Sequence, residues 1–248
     1  MSDTKISIII PCYNAEKWIE LCVMSALSQD YKNKEVVAID NESIDSTFDI
    51  LKKIKDKHPE LILGSAKNIY PNCWDEARFK GFEIATGKYF FTLASDDFIK
   101  EDYVSKYMDN IASIRDSGKF LVFQSPIVGI KGENIEEVVN FIGYKYKTLQ
   151  EFKEYSLQRC PVVSPTVVFD RELYDSGVLV TSPEKYGGAA DYDLYCNLAD
   201  KNIFIYPIET WLGYIYRWHP EQATWNVQKE GVGYDSMIQD YWGEKWKQ

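Results

Sequence analysis

Two adjacent carboxylates, Asp96 and Asp97, follow an apolar run, Tyr89-Phe90-Phe91, that reads as a buried strand. Acids at the end of a buried strand are costly unless a cation or good hydrogen-bond donors compensate them. A hard divalent ion would do so, and it can share its remaining coordination sites with the oxygens of a diphosphate. The plainer alternative is that the pair only caps the helix that follows. Three more polar groups stand where strands are expected to end: Pro11-Cys12-Tyr13-Asn14, Asp40 with its turn, and Arg78 within Ala77-Arg78-Phe79-Lys80-Gly81. In a parallel sheet the carboxyl ends of successive strands share one edge, where open α/β sheets bind ligands. Tyr13, Asp40 and Asp96 can therefore line one crevice, with Tyr13 stacking on a base and Asp40 accepting from a base N–H. Taken singly, Asp40 and Asp45 could equally cap the next helix, and Tyr13 could cover the sheet edge.

The elements that must position these groups alternate in type. Residues 6–10, Ile-Ser-Ile-Ile-Ile, form the continuous β-branched run of a strand buried on both faces, and Pro11 is expected to end it. Asn14 suits the N-cap of a helix over about 15–28. A second strand over 35–39 stops at Asp40, and a turn rich in backbone-bonding side chains leads to a helix over about 46–57. A third strand over 61–63 and a helix from Asp75 to Thr86, ended by Gly87, precede the strand that delivers Asp96. Such alternation marks an α/β sheet with right-handed crossovers.

The second half is less regular. Strands are expected at 120–123, 127–128, 162–169 and 203–206, and helices from Arg171 and over 191–200, while 132–150 is polar and without clear period. The tail is aromatic: Trp211, Tyr214, Tyr216, Trp218, Trp225, Tyr234, Tyr241, Trp242 and Trp246. Core or an oligomer contact is the default for these rings, although such rings also pack well on sugars. The chain reads as one continuous unit: a nucleotide-binding half over 1–100, an acceptor-side and catalytic half over 101–225, and the tail over 226–248.

Composition excludes several classes. A net charge of -10 over 248 residues argues against a nucleic-acid backbone or an anionic membrane surface as the main partner. The five cysteines are odd in number, scattered and without a Cys-x-x-Cys pair, which reads as reduced intracellular thiols rather than a disulfide or zinc framework. No apolar segment approaches the roughly 18 residues needed to span a bilayer, and no signal peptide is expected. The expectation is a cytoplasmic protein, with peripheral membrane contact and a homodimer both left open.

Together the motifs resemble one family. Residues 6–47, an apolar strand, Pro-x-Tyr-Asn-x-Glu, a second strand and Asp-Asn-x-Ser-x-Asp-x-Thr, are similar to the start of a family 2 glycosyltransferase with the GT-A fold, an α/β fold with a Rossmann-like, mostly parallel central sheet flanked by helices. Ala77-Arg78 with Gly81, Ala85-x-Gly87-Lys88-Tyr89 and Leu93-x-x-Asp96-Asp97 look like that family's approach to its metal motif. Pro165-Thr166-Val167-Val168-Phe169 with Arg171 resembles its acceptor-side segment, Asp191-Tyr192-Asp193-Leu194 its Glu-Asp-x-Asp-Leu element, and Tyr216-Arg217-x-His219 its tail. The resemblance covers about residues 5–225.

It implies roles. Pro11, Tyr13 and Asn14 would border the nucleobase and Asp40 would bond it, most often uracil in this family. Arg78 would sit near the diphosphate or support that loop, Asp96 would hold the ribose or sugar, and Asp97 would ligate Mn²⁺ or Mg²⁺ with His219 as a further ligand or diphosphate contact. Asp191 would be the general base. The implied activity is inverting, hexosyltransferase-type transfer from a UDP-sugar or similar donor to a carbohydrate or glycolipid acceptor. Ala94 stands where many members carry a first Asp, so metal binding would rest on Asp97. Asn41-Glu42 replaces Asp-Gly, and Ala190 replaces the Glu before Asp191. Asp193, two residues on, would diverge from Asp191 on a helix. The rivals are a catalytically idle nucleotide-sugar binder, which Ala94 and Ala190 favour, and a nucleotidyltransferase. The latter wants a Gly-rich loop after the first strand, which Pro11-Cys12-Tyr13-Asn14 does not supply.

Overall fold

The computed structural model of the chain describes residues 4–69, 73–114, 122–222 and 231–247. Residues Phe120, Leu121 and Trp225, which figure in the sequence expectations, lie outside them. The first half alternates as expected: β1 (Ile6–Cys12), α1 (Ile19–Leu27), β2 (Lys34–Asp40), α2 (Thr47–Lys57), β3 (Ile62–Ser65), α3 (Cys73–Ile84) and β4 (Tyr89–Thr92). After β5 (Phe98–Ile99) and α4 (Tyr103–Ile114) come β6 (Val122–Gln124), β7 (Ile127–Lys131), β8 (Asn134–Ile142) and α5 (Leu149–Ser156). Then follow β9 (Val168–Asp170), α6 (Arg171–Asp175), α7 (Pro183–Tyr186), α8 (Ala190–Asp200), β10 (Ile205–Pro207), β11 (Tyr214–Trp218) and α9 (Tyr234–Lys245).

Seven strands form the central sheet in the order β10-β6-β9-β4-β1-β2-β3. β1, β2, β3 and β4 run parallel, and only β9 enters antiparallel, between β4 and β6. The apolar run of β1 is continuous because both sides of the sheet are covered. Ile6, Ile8 and Ile10 pack with Val23 of α1, Leu51 of α2 and Tyr107 of α4, whereas Ile9, Val37 and Phe90 pack with Ala77 and Phe82 of α3 and Leu194 and Leu198 of α8. The chain runs outward from β1 to β3 and then returns to β4 on the other flank of β1. The strand order therefore switches between β1 and β4, where open sheets leave a crevice at their carboxyl ends.

Two close approaches hold this half together at the opposite edge. A Cβ on Gly87 would stand 2.5 Å from Ser7 Oγ and 2.8 Å from the Ser7 backbone nitrogen. Beside it Glu35 of β2, 9% exposed, accepts from Ser7 Oγ at 2.6 Å, Thr86 N at 2.5 Å and Gly87 N at 3.2 Å, and pairs with Lys5 at 2.6 Å.

Several expectations are corrected. β1 runs through Pro11 to Cys12 in register with Ile39 and Asp40, since proline's φ suits an extended chain. α1 starts at Ile19, with Trp18 before it, rather than at residue 15. Asn14 adopts φ 48° and caps nothing; the amides of Asn14, Ala15 and Glu16 donate instead to Ser43 Oγ, Thr47 Oγ1 and Asp45 Oδ2 at 3.1, 2.7 and 3.1 Å. The strand expected over 162–169 is a 3₁₀ turn, Ser164–Thr166, followed by the short β9.

A second, four-stranded sheet, β5-β11-β7-β8, was not foreseen. Its longest strand comes from the polar stretch 132–150, and β11 from the aromatic tail. Trp242 of α9 is core, packed with Ile238 against Tyr186, Tyr192 and Cys196. Among the described residues no helix is long and apolar enough to cross a membrane, and Cys12, Cys22, Cys160 and Cys196 are free thiols.

Candidate active site

The β1 and β2 ends meet through side chains. Asn14 Oδ1 accepts from Ile44 N at 2.9 Å, so the amide expected near the nucleobase serves to tie the two loops together. Pro11 lies within β1, and Tyr13 beyond it is 46% exposed. Asp40 is 5% exposed; its Oδ2 accepts from Ser43 N at 3.2 Å, while Oδ1 is buried and makes no hydrogen bond. A buried acceptor without a donor is rare and costly. At the crevice end of β2 it is an acceptor ready for an N–H brought by a ligand.

On the other flank of β1, the chain after β4 separates the two acids. Asp97 turns inward and is 1% exposed. Its Oδ2 accepts from Tyr214 OH and its Oδ1 from Arg217 N, both at 2.8 Å. Burial, then the charge of Asp96, push its carboxyl well above the usual range, against the donors from Arg217 and Tyr214. Asp97, expected to ligate a metal, is thus buried with both its oxygens engaged by β11, whereas Asp96 is the acid open to the crevice.

Asp96 carries the accessible carboxylate: its side chain is 25% exposed, and Oδ2 lies 3.0 Å from His219 Nε2. Arg217 braces the pair. It donates from Nε to Asp96 O at 2.7 Å and from a terminal nitrogen to Gly132 O, and its guanidinium lies 4.3 Å from the centre of the Trp18 ring. The other side of the cluster is Trp18 against His219, ring centres 5.4 Å apart. A cleft of about 470 Å³ opens here between Lys17, Trp18, Glu133 and His219.

The donor types fit a divalent ion. A carboxylate, which suits Mn²⁺ or Mg²⁺, converges with an imidazole nitrogen, a borderline donor more typical of transition ions. Among the described residues no cluster of three ligating side chains is present, so a cation here must take its other ligands from a diphosphate and water.

Asp191 lies in the first turn of α8, not at its cap. Its Oδ2 accepts from Ser164 Oγ at 2.5 Å and its Oδ1 from Tyr192 N at 2.8 Å. Burial raises its carboxyl above the usual value, and the Ser164 hydroxyl and the Arg78 guanidinium restrain that rise. Arg78, expected at the diphosphate, is thus a neighbour of Asp191, and it also faces Asp75 at 3.4 Å. Asp193 diverges as its spacing requires and accepts from Trp242 Nε1 at 2.8 Å. Sequence reasoning passed over Ser164 and Tyr214. Ser164 stands before Pro165-Thr166 with no sign of its reach to Asp191, 27 residues on, and Tyr214 was only one aromatic among many.

A mostly parallel sheet with a switch point, an unpartnered carboxylate oxygen at one strand end and a carboxylate-imidazole pair at another mark an α/β protein with a polar crevice at the carboxyl edge of its sheet. Residues 7–161 match the family described as Glycosyl transferase family 2. The chain belongs to that family. It is 32% identical over 199 residues to the *Escherichia coli* UDP-Glc:alpha-D-GlcNAc-diphosphoundecaprenol beta-1,3-glucosyltransferase WfaP, covering 80% of this chain and 71% of that one. It is 30% identical over 209 residues to an uncharacterized glycosyltransferase of *Rickettsia conorii*, 82% of this chain but only 31% of that relative's length. The crystal structure of *S. aureus* TarS 1-349 in complex with UDP superposes with a TM-score of 0.64 at 22% identity, over 91% of this chain and 63% of that one, which establishes the GT-A fold.

Proposed function

We propose that the protein transfers a sugar from a nucleoside-diphosphate sugar, a UDP-sugar first, to an acceptor hydroxyl with inversion at the anomeric carbon. The observation that carries this reading is the Asp96–His219 pair at the switch point, across β1 from the unpartnered Asp40 Oδ1. Tyr13 and Pro11 border the base, and Asp40 accepts its N–H. Asp96 and His219 would hold Mn²⁺ or Mg²⁺, which would supply charge neutralisation to the departing diphosphate. Asp191 accepts the proton of the acceptor hydroxyl, and the raised affinity of its carboxyl for protons suits a base working near neutrality. WfaP is named for a UDP-glucose donor and a diphosphoundecaprenol-linked acceptor. A UDP-sugar and a glycolipid or carbohydrate acceptor, reached from the cytoplasmic side, are the corresponding proposal for this chain.

Calorimetry with UDP, GDP and dTDP, each with Mn²⁺ and with EDTA, tests the crevice. Tight binding of one nucleotide that EDTA abolishes is expected; no binding of any would sink the reading. Hydrolysis or transfer from the matching donor then separates an enzyme from an idle binder. Asp191→Asn should keep nucleotide affinity while turnover falls about 10²–10⁴-fold, the usual scale of general-base catalysis.

A further inference from the structure

Asp191 is held from both sides. The Ser164 hydroxyl donates to Oδ2 and the Tyr192 amide to Oδ1. Ser164 belongs to the turn Ser164–Thr166, which is itself fastened to the end of β6. Gln124 accepts from Val163 N at 2.8 Å and donates to Pro161 O at 2.8 Å and Tyr146 OH at 2.6 Å. Thr166 exchanges hydrogen bonds with the Ser125 backbone at 3.0 and 2.9 Å, and Tyr107 OH donates to Thr166 O at 2.8 Å. Gln124, Ser125 and Thr166 are almost fully buried, and such satisfied networks rigidify what they carry. The serine is therefore presented to Asp191 by a fixed arm.

We propose that Ser164 is a positioning residue for Asp191, clamping the carboxylate against the Tyr192 amide in the orientation that receives the acceptor proton. The inference rests on the reading of Asp191 as base. In the transfer step the acceptor O–H bond breaks, its proton passes to Asp191, and the oxygen pair forms the bond to the anomeric carbon. The bond from that carbon to the diphosphate breaks, and its electrons leave with the diphosphate. Ser164 neither gains nor loses a proton; its hydrogen bond favours the charged form of the base. The other charged or titratable groups facing Asp191 are Arg78 and Asp75 from α3, Cys160 before the turn, Tyr195 of its own helix and Asp235 of α9. Among these only Arg78 is a cation, so loss of the serine hydroxyl leaves the Arg78 guanidinium and the Tyr192 amide to favour the charged form against burial and Asp75.

The test is a pH titration of the Asp191 carboxyl carbon by NMR in ¹³C-aspartate-labelled protein, the resonance assigned by its loss in Asp191→Asn. In Ser164→Ala the midpoint should rise by about one pH unit. Because a smaller side chain could also disturb folding, Ser164→Thr and Ser164→Val form a second, nearly isosteric pair. The threonine should titrate close to the parent and the valine should shift upward. An unmoved or lowered midpoint in Ser164→Ala, or equal midpoints for the threonine and valine variants, would overturn the clamp, since trimming a residue that merely packs admits water and does not raise a buried carboxyl's midpoint. Undiminished hydrolysis of UDP-glucose with Mn²⁺ by Asp191→Asn would instead overturn the base reading on which the clamp rests.

Discussion

At the scale of single residues, the adjacent acids divide two tasks that the sequence could not separate. Asp96 presents its carboxylate to His219 in the crevice, and Asp97 fixes the loop from within. Asp96→Ala should abolish the Mn²⁺-dependent part of UDP binding and leave the melting temperature nearly unchanged. Asp97→Ala strands the Arg217 amide and the Tyr214 hydroxyl, each costing about 1–3 kcal/mol if left unsatisfied. A fall in melting temperature of several degrees is then expected. Equal melting curves for the two variants would contradict this division. That both acids stand at the crevice end of a buried strand was legible from the apolar run that precedes them. Which one faces outward was not, since that is decided by Tyr214 and Arg217, well over a hundred positions further along the chain. Asp40 was legible for the same reason as the acids, whereas Asn14 misled: a good N-cap residue is also a good loop tie, and local spacing does not tell them apart.

Among elements, the edge of the sheet opposite the crevice is held by a buried acid and a close glycine contact. Burial alone would raise the Glu35 carboxyl, but Lys5, Ser7 and Thr86 hold it down at about 2, below its ordinary 4.5. Because the folded value is the lower one, the stabilisation is fully present above pH 4.5 and is lost as pH falls from there toward 2. Glu35→Gln should therefore lose on the order of 2–3 kcal/mol at neutral pH and show a flatter decline in that acid window, read by denaturant melts at stepped pH. A parallel decline in both proteins would show that Glu35 contributes nothing to the window. Next to it, Gly87→Ala should cost about 1–3 kcal/mol, because the atoms its methyl meets include the Ser7 and Tyr89 backbones, which cannot rotate away. The βα alternation of this half was readable because β1, β2 and β4 are largely covered on both faces and so carry apolar runs, while the edge strand β3 is only partly buried. β8 was not readable: it is a solvent-facing edge strand, with Val138, Val139 and Phe141 more than half exposed among acids and an asparagine, so no burial imposes a period on it.

The whole molecule is two sheets joined at the Asp96-Asp97 loop, and the joint brings Tyr214 and Arg217 of β11 to the candidate site. β5 begins directly after Asp97 and pairs with β11, Ile99 opposite Tyr214, while Lys100 N donates to Gly213 O at 3.0 Å. The loop is thus anchored behind by β4 of the central sheet and ahead by β5 of the second. Tyr214 stitches the two across the middle: its hydroxyl meets Asp97 at 2.8 Å and the Ala94 amide at 3.4 Å, and its ring packs edge-on against Tyr103. Tyr214→Phe keeps the ring and removes only the stitch. Stability should fall by about 1 kcal/mol or somewhat more, a few degrees in a chain of this size. If the loop needs both anchors to hold Asp96 and His219 at 3.0 Å, UDP affinity should also weaken several-fold with Mn²⁺ and stay level with EDTA. Calorimetry and melting on the same preparation separate the two effects. A loss of stability with unchanged Mn²⁺-dependent affinity would mean that Arg217, through Asp96 O and the Trp18 face, sets the pair without help from the second sheet's tyrosine.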